Sequence, residues 1–296
     1  MVADWSRRAR ESAATKPVIV GIDGSRQSER AALWAVEEAV GRGVPLVLVY
    51  VIRTDLSGPL SGDEYRTALD DAKLALRAVC SELAVEPRPV AVETEIAQGF
   101  PAGVLLAKST EASLICLGSS GVGKLGAAFL GSTAATVAER ASCSVAIIGS
   151  AGDVQAPHGQ TKWIMIPVSI TDESRAIESA VDQARLLRRP LMAIGEANPT
   201  LGGTPTEALD SLVTEWKQRY PDVHIYAVSS DTTMGRFLRA HPEMAGLVVI
   251  DAASADDVSS IIGNPHGAEG NQPERAVLVA REHATRRSSP VPSALR

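Results

Sequence analysis

The sequence predicts an α/β protein built from two tandem open parallel five-stranded sheets, each with helices on both faces. Apolar stretches of strand length alternate with stretches of helical periodicity along nearly the whole chain. The same order of elements occurs twice, with a period of roughly 140 residues. Several strand stretches are apolar without interruption, which is typical of parallel strands that helices cover on both faces.

The two copies of this pattern divide the 296 residues into two predicted domains. The first is expected over residues 16–150 and the second over residues 161–282. Residues 151–160 have the glycine, proline and polar content of a linker. Polar composition predicts flexible tails at residues 1–15 and 283–296.

The first copy contains five predicted strands, each followed by turn or helix signals. These strands are expected at residues 17–22, 46–52, 90–96, 114–117 and 144–148. Ser25 is suited to cap a first helix that extends to Val40. Ser61 and Glu64 form a capping-box pattern at the start of the second helix, and Pro101 stands where the third begins.

The second copy repeats this order with different residues. Its strands are expected at residues 162–168, 191–194, 223–228, 247–250 and 276–280. Thr171 is expected to cap the helix after the first of these strands, and Thr204 and Glu207 form a second capping-box pattern. Matching the elements rather than the letters therefore reveals an internal duplication.

Composition excludes several classes of function. A net charge of −6 argues against broad binding to nucleic acid or anionic membranes. The N-terminus has no apolar signal-peptide core and no run is long enough to span a bilayer, so a cytoplasmic location is expected. Cys80, Cys116 and Cys143 have apolar surroundings without metal-ligand spacing and are expected to be buried thiols.

A glycine-rich stretch from Gly118 to Thr133 separates the fourth strand from a helical run over residues 134–139. Glycines let a backbone approach an anion closely, and Ser132 precedes a helix, where N–H groups favour phosphate. The stretch therefore predicts a phosphate-binding loop, with an ordinary turn as the alternative. It is not a P-loop, because Leu125 stands where a Ser or Thr must hold Mg²⁺.

Three stretches resemble the universal stress protein family. The spacing Gly-x2-Gly-x9-Gly-Ser, which begins at Gly118, matches the nucleotide-binding signature of that family in full. Residues 18–25 resemble its opening strand with the Asp, and residues 143–148 resemble its closing strand. The chain is thus similar to a tandem, ATP-binding universal stress protein. The resemblance implies the family's Rossmann-like, adenine-nucleotide alpha-hydrolase-like fold.

The resemblance also implies an ATP site in the first domain, and it leaves open whether Mg²⁺ accompanies the nucleotide. By this resemblance, Asp23 and the backbone around Val51 hold the adenosine. Two glycines would pass close to the ribose and phosphates, Gly118 and Gly121. Three consecutive residues would hold the β- and γ-phosphates, Gly131, Ser132 and Thr133.

The second domain departs from this signature. Ser169 stands in place of the Asp, and Asp251 and Ser254 replace the first two glycines. Only a displaced trace of the later signature remains at residues 263–264. A carboxylate repels phosphate and side chains obstruct close backbone approach, so little or no ATP binding is expected here. The expected role is pairing with the first domain through the two fifth strands, while further homodimerisation stays open.

The sequence contains no familiar catalytic constellation. The patterns His-Glu-x-x-His, Gly-x-Ser-x-Gly and kinase-like His-Arg-Asp do not occur, and neither catalytic residues nor metal ligands are predicted. A nucleotide-dependent regulatory stress protein is the expected function. The alternatives are a slow ATPase or phosphotransferase and a nucleotide-free dimerisation scaffold. Two local roles stay open, a phosphate contact from Lys124 and a pocket wall at residues 98–101.

Overall fold

The computed structural model describes most of the two predicted domains. The described residues are 16–54, 60–87, 89–120, 130–149, 162–168, 176–195, 205–230, 232–241, 244, 246–262 and 275–281. The predicted tails and linker lie outside this part of the chain, as do several singled-out residues, Gly121, Lys124, Leu125, Ser169, Thr171, Thr204 and residues 263–264. Expectations for all of these stay predictions.

Ten strands form the sheet in the part of the chain that the structure describes. Those of the first half are β1 (Val18–Ile22), β2 (Leu46–Arg53), β3 (Val92–Gly99), β4 (Leu114–Gly118) and β5 (Ser144–Ile148). Those of the second half are β6 (Trp163–Val168), β7 (Leu191–Gly195), β8 (Ile225–Ser229), β9 (Gly246–Asp251) and β10 (Arg275–Ala280). "First half" and "second half" denote the elements that belong to these two groups of strands.

Helices connect the strands in both halves. The first half contains α1 (Arg26–Arg42), α2 (Gly62–Leu83), α3 (Pro101–Lys108) and α4 (Ser132–Arg140). The second half contains α5 (Ala176–Leu187), α6 (Pro205–Arg219), α7 (Met234–Ala240), a 3-10 helix (Ala252–Asp257) and α8 (Val258–Ile262). The predicted caps at the first two helices are confirmed, since Ser25 caps α1 and Ser61 forms a capping box with Glu64 at α2.

The strand order is β3-β2-β1-β4-β5-β10-β9-β6-β7-β8, in one continuous ten-stranded sheet. Neighbouring strands are parallel within each half, and β5 and β10 are antiparallel neighbours at the centre. The predicted α/β fold class with parallel five-stranded units is therefore confirmed. The pairing of β5 with β10 gives both strands a partner on each side, so neither leaves an open edge here.

The third strand differs from its predicted bounds. Residues 90–96 were expected, whereas β3 runs from Val92 to Gly99. Its length follows its neighbour, because β2 pairs with β3 from Leu46 opposite Val92 to Arg53 opposite Gly99. At the edge of the sheet, Glu93 and Glu95 are exposed, so the apolar pattern of this strand marks its ends poorly.

Helices α1 and α5, which follow the first strand of each half, pack against each other. A Cβ on Gly41 would lie 2.7 Å from Cγ of Leu186, so the missing side chain permits this close approach. Glu38 is fully buried there, and its Oε2 accepts hydrogen bonds from Arg42 Nη2 at 2.9 Å and Gln183 Nε2 at 3.2 Å. Oε1 of Glu38 and Oε1 of Gln183 are buried without a hydrogen-bond partner.

The apolar core has one layer on each face of the sheet. One layer includes Val20, Leu46 and Ile164, and the other includes Ile147, Met165 and Val277. Each layer thus contains side chains from both halves, so the core continues across the β5–β10 seam. Within the described residues, no helix has both the length and the apolar character needed to cross a membrane.

Candidate functional site

The order of the strands in the first half predicts where a ligand would bind. The chain passes from β1 to β2 on one side, whereas β4 lies on the other side of β1. Ligands of open α/β sheets bind beyond the carboxyl ends of strands where the order reverses in this way. Asp23 follows β1 directly and Gly118 ends β4, so both lie at this reversal.

Asp23 is half-buried in a tight turn between β1 and α1. Its Oδ1 accepts a hydrogen bond from the Ser25 N–H at 3.0 Å, and its own N–H donates to Ser28 Oγ at 3.4 Å. A carboxylate has two oxygens with about four acceptor positions, so this turn leaves acceptor capacity for a ligand. Burial raises the pKa of nearby Tyr50, and the carboxylates of Asp71 and Asp23 raise it further.

Val51 lies on β2 beside Asp23. The parallel register pairs Ile22 with Tyr50, so the next residues along the two strands are Asp23 and Val51. The half-buried Val51 side chain packs on the same core layer as Leu130, which lies in the glycine stretch just before Gly131. An apolar side chain suits the face of a nucleoside base, and a neighbouring carboxylate suits the polar edge of the nucleoside.

Gly118 has a packing role that sequence reasoning missed. A Cβ at this position would lie 2.7 Å from Cβ of Gln27 and 2.8 Å from its carbonyl carbon. The missing side chain therefore lets the first turn of α1 lie against the end of β4. This contact holds the Asp23 turn beside the start of the glycine stretch, and it needs no ligand to explain the glycine.

Two backbone hydrogen bonds hold the base of the glycine stretch, which is the point where Ser119 and Gly131 meet above the sheet. Ser119 donates its N–H to the carbonyl of Ile148 at 2.8 Å, and its own carbonyl accepts from the Gly131 N–H at 2.8 Å. Ser119 is 6% exposed, so this base is buried against the sheet. The two ends of the predicted loop are thus joined at a fixed point above β4 and β5.

Helix α4 begins at this fixed base without a side-chain cap. Gly131 is its N-cap, at φ −60° and ψ 146°, and no side chain accepts from the first turn there. The first turn contains no acidic residue. The N-termini of α1 and α2 differ, because a serine caps each of them and each first turn includes an acidic residue. Uncapped N–H groups and the helix dipole favour an anion at α4.

Residues 98–101 end β3 and begin α3. Gly99 has φ +138°, which favours glycine, and Pro101 is the first residue of the helix. Gln98 donates a hydrogen bond to the Tyr65 hydroxyl at 3.2 Å, and Phe100 is 50% exposed. The segment thus starts a helix, as one of the two alternatives predicted, while a contact with a ligand stays a prediction.

The corresponding edge of the second half is built differently. β9 ends at Asp251, whose Oδ1 accepts a hydrogen bond from the Ser254 N–H at 2.9 Å. Asp251 thereby caps the 3-10 helix that follows immediately. A carboxylate thus stands at the end of β9, where the first half has Gly118 at the end of β4. The Asp251-x-x-Ser254 spacing is a helix-cap signal that could have predicted this turn.

Away from these residues, the described part of the chain contains further cysteine, histidine and acidic side chains. No group of three His, Cys, Asp or Glu side chains there is arranged to hold a metal ion. Burial raises the pKa of Cys143 to about 11 and raises that of Cys116 as well. These two thiols therefore stay protonated near neutral pH, in agreement with the expectation of buried thiols. Cys80 departs from that expectation, because it is only partly buried on α2, although desolvation still raises its pKa.

Comparison with known proteins gives consistent results. The sequence model of the universal stress protein family matches residues 14–149. A universal stress protein from Mycobacterium tuberculosis strain H37Rv is 36% identical over 267 residues, which cover 90% of this chain and 96% of the relative. A second one from that strain is 32% identical over 256 residues, which cover 85% of this chain and 91% of the relative.

Solved structures support the fold independently. The crystal structure of a universal stress protein from Archaeoglobus fulgidus DSM 4304 has a TM-score of 0.67. The match covers 91% of this chain and 97% of that chain at 17% sequence identity. At this identity the likeness concerns the fold alone.

Proposed function

Because the chain belongs to the universal stress protein family, we propose that its first half binds an adenine nucleotide, ATP, and that nucleotide occupancy regulates the protein in a stress response. The second half pairs with the first and binds ATP weakly or not at all. The N-terminus of α4 carries this proposal, since its uncapped start and its first turn free of acidic residues lie at the end of the glycine signature. Helices α3 and α7 also start without a side-chain cap or an acidic first turn, but neither follows such a signature.

The phosphates would be held at the start of α4. Gly131 brings no side chain that could compete for the first-turn N–H groups, and Ser132 and Thr133 add hydroxyl groups beside them. The hydrogen bond between Gly131 and Ser119 fixes this helix start relative to β4. A preorganised group of N–H donors costs little to order when an anion binds.

The adenosine would be held at the ends of β1 and β2. The carboxylate of Asp23 suits a hydroxyl or amino donor, and Val51 suits the apolar face of the purine. Their adjacent positions along paired strands support a single nucleoside contact surface. ATP supplies negative charge for the helix start and donor groups for Asp23, so one ligand suits both positions.

The second half contributes the pairing surface. β10 lies antiparallel to β5, with Ala276 opposite Ile148 and Val279 opposite Val145. At its own carboxyl edge, Asp251 supplies a carboxylate where an ATP site requires donors. A repulsive edge together with a long paired strand supports a structural role for this half.

Titration of the full chain with ATP and Mg²⁺ by isothermal calorimetry tests the proposal. One site per chain is expected. Gly131→Asp adds a helix cap and a negative charge, so ATP affinity should fall by about a hundredfold or more. The thermal midpoint should stay unchanged or rise, because Asp is a better N-cap than Gly.

Thr233→Asp is the matched control, since Thr233 is the N-cap of α7 and makes no side-chain cap there. It adds the same charge in the second half and should leave ATP affinity unchanged. Failure of the wild-type chain to bind ATP would reject the proposal. Equal affinity in Gly131→Asp would show that phosphate binds elsewhere. Chromatography of the nucleotide after incubation separates stable binding from slow hydrolysis.

A further inference from the structure

We infer that Arg281, which follows the last strand of the second half, is a positioning residue for the helix that carries the phosphate site of the first half. It thereby couples nucleotide binding to the contact between the halves. This inference rests on the proposed nucleotide function. Sequence reasoning did not single out Arg281, because its partners lie far away along the chain.

The backbone of Arg281 is anchored to the first half. Its N–H donates to Ser144 Oγ at 3.1 Å, and the Ser144 hydroxyl donates to the Arg281 carbonyl at 3.4 Å. Ser144 is the first residue of β5 and is 7% exposed. The backbone of Arg281 is therefore fixed against the start of β5, and its side chain reaches the neighbouring end of α4.

The guanidinium group of Arg281 binds carbonyl groups at the C-terminal end of α4. It donates to Ala138, to Glu139 at 2.8 Å, and to Cys143 at 3.4 Å, just before β5. Carbonyls in the last turn of a helix lack partners within the helix, and the dipole favours a cation there. One half-buried side chain of the second half thus holds the end of a helix of the first half.

The other end of α4 is the proposed phosphate site. The helix has nine residues, so its two ends are about 13 Å apart. A shift at one end of so short a helix is carried to the other end, and α4 is contacted by two parts of the second half, Arg281 at its C-terminal end and the 3-10 helix. A displacement of about 1 Å is enough to spoil a preorganised site. Arg281 therefore acts together with the Gly131–Ser119 hydrogen bond to set where the N–H groups of the first turn point.

Arg275 provides a matched comparison at the other end of β10. Its guanidinium donates to the carbonyls of Leu238 at 2.8 Å, Met244 at 3.2 Å and His241 at 3.3 Å. These groups surround the C-terminal end of α7, in the second half. Both arginines therefore hold the end of a helix, but the helix that Arg275 holds carries no proposed ligand site.

The test compares ATP with adenosine in calorimetric titrations of four full-length proteins, the wild type, Arg281→Met, Arg281→Lys and Arg275→Met. Arg281→Met should weaken ATP binding about fivefold or more, while adenosine affinity stays unchanged. Arg281→Lys keeps a cation at the helix end and should recover part of the loss. Arg275→Met should lower the thermal midpoint without changing the ratio of ATP to adenosine affinity.

The possible failures are distinguishable. A wild-type chain that binds no ATP rejects the proposed function and the inference together. A wild-type chain that binds ATP, with an unchanged affinity ratio in Arg281→Met, overturns the inference alone. An equal loss in Arg275→Met also overturns it, since the effect would then be general destabilisation. If Arg281→Met does not fold, the same criteria apply to Arg281→Gln.

Discussion

The two halves of the sheet have the same strand order around the seam but different chemistry at their carboxyl edges. β4 ends in Gly118, and the helix that follows starts without a side-chain cap. β9 ends in Asp251, which caps the next turn with its own carboxylate. The central strands are buried in both halves, so the difference between the halves lies at their carboxyl edges.

The halves meet through equivalent elements. The helix after the first strand of each half packs against its counterpart, with Gly41 of α1 against Leu186 of α5. Strands β5 and β10 pair across the same seam. Substitutions in the shared interior should therefore alter the stability of both halves, whereas ligand binding should depend on the carboxyl edge of the first half.

The largest expected effect concerns the interior contact of Glu38 with Gln183. Glu38→Ala removes a fully buried acceptor and leaves Gln183 without its partner, at a cost of about 2–4 kcal/mol in the free energy of unfolding. Urea denaturation should show this loss in one transition of both halves, because their core is continuous. Two separate transitions would show that the halves are independent units.

Glu38→Gln serves as the control for this contact. Both Glu38 and Gln183 have a buried oxygen without a hydrogen-bond partner, so the contact has acceptors in excess. An amide at position 38 supplies N–H donors in nearly the same shape. The free energy of unfolding of Glu38→Gln should stay within about 1 kcal/mol of the wild-type value. A loss as large as that of Glu38→Ala would show that the negative charge itself is required.

A smaller loss is expected from Gly118→Ala at the carboxyl edge of the first half. The new Cβ would lie within 3 Å of both the side chain and the backbone of Gln27. Overpacking of this kind costs about 1–3 kcal/mol. The free energy of unfolding measures the loss, with Gly62→Ala as the control, since there the nearest atom is Arg66 Nη2 at 3.9 Å. Equal stability of the two variants would contradict the packing role of Gly118.

The smallest effect is expected at the matching position of the second half. Asp251→Ala removes the cap of the 3-10 helix and should lower the free energy of unfolding by about 1 kcal/mol. ATP affinity and stoichiometry should not change, because the carboxylate is only one of several departures from the signature. A second equivalent of bound ATP in this variant would show that Asp251 alone closes the second site.

Much of the fold could be predicted because it depends on local patterns. Uninterrupted apolar runs marked the strands, and Ser25 and Ser61 marked two helix starts that the structure confirms. The bounds of β3 were less accurate, since its length follows its pairing with β2 rather than its own composition. The sequence marks the ends of an edge strand weakly, because such a strand has only one neighbouring strand to constrain it.

The structure of the candidate site was only partly accessible from the sequence. The glycine spacing predicted a loop and a helix start, and the base between Ser119 and Gly131 joins them. The crowding of Gly118 by Gln27 depends on how α1 crosses the end of β4, which no local pattern reports. The contact of Arg281 with Ala138 joins residues 143 positions apart, so a single sequence carries no signal for it.

The pairing of β5 with β10 within one chain affects how substitutions can accumulate in the two halves. A symmetric dimer of two identical single-unit chains must carry every substitution twice, once at each edge. Here β5 and β10 belong to one polypeptide, so a substitution alters one edge and spares the other. Their encounter is also intramolecular and does not depend on protein concentration. A tandem gene can therefore change one strand of the seam while the other strand keeps its sequence.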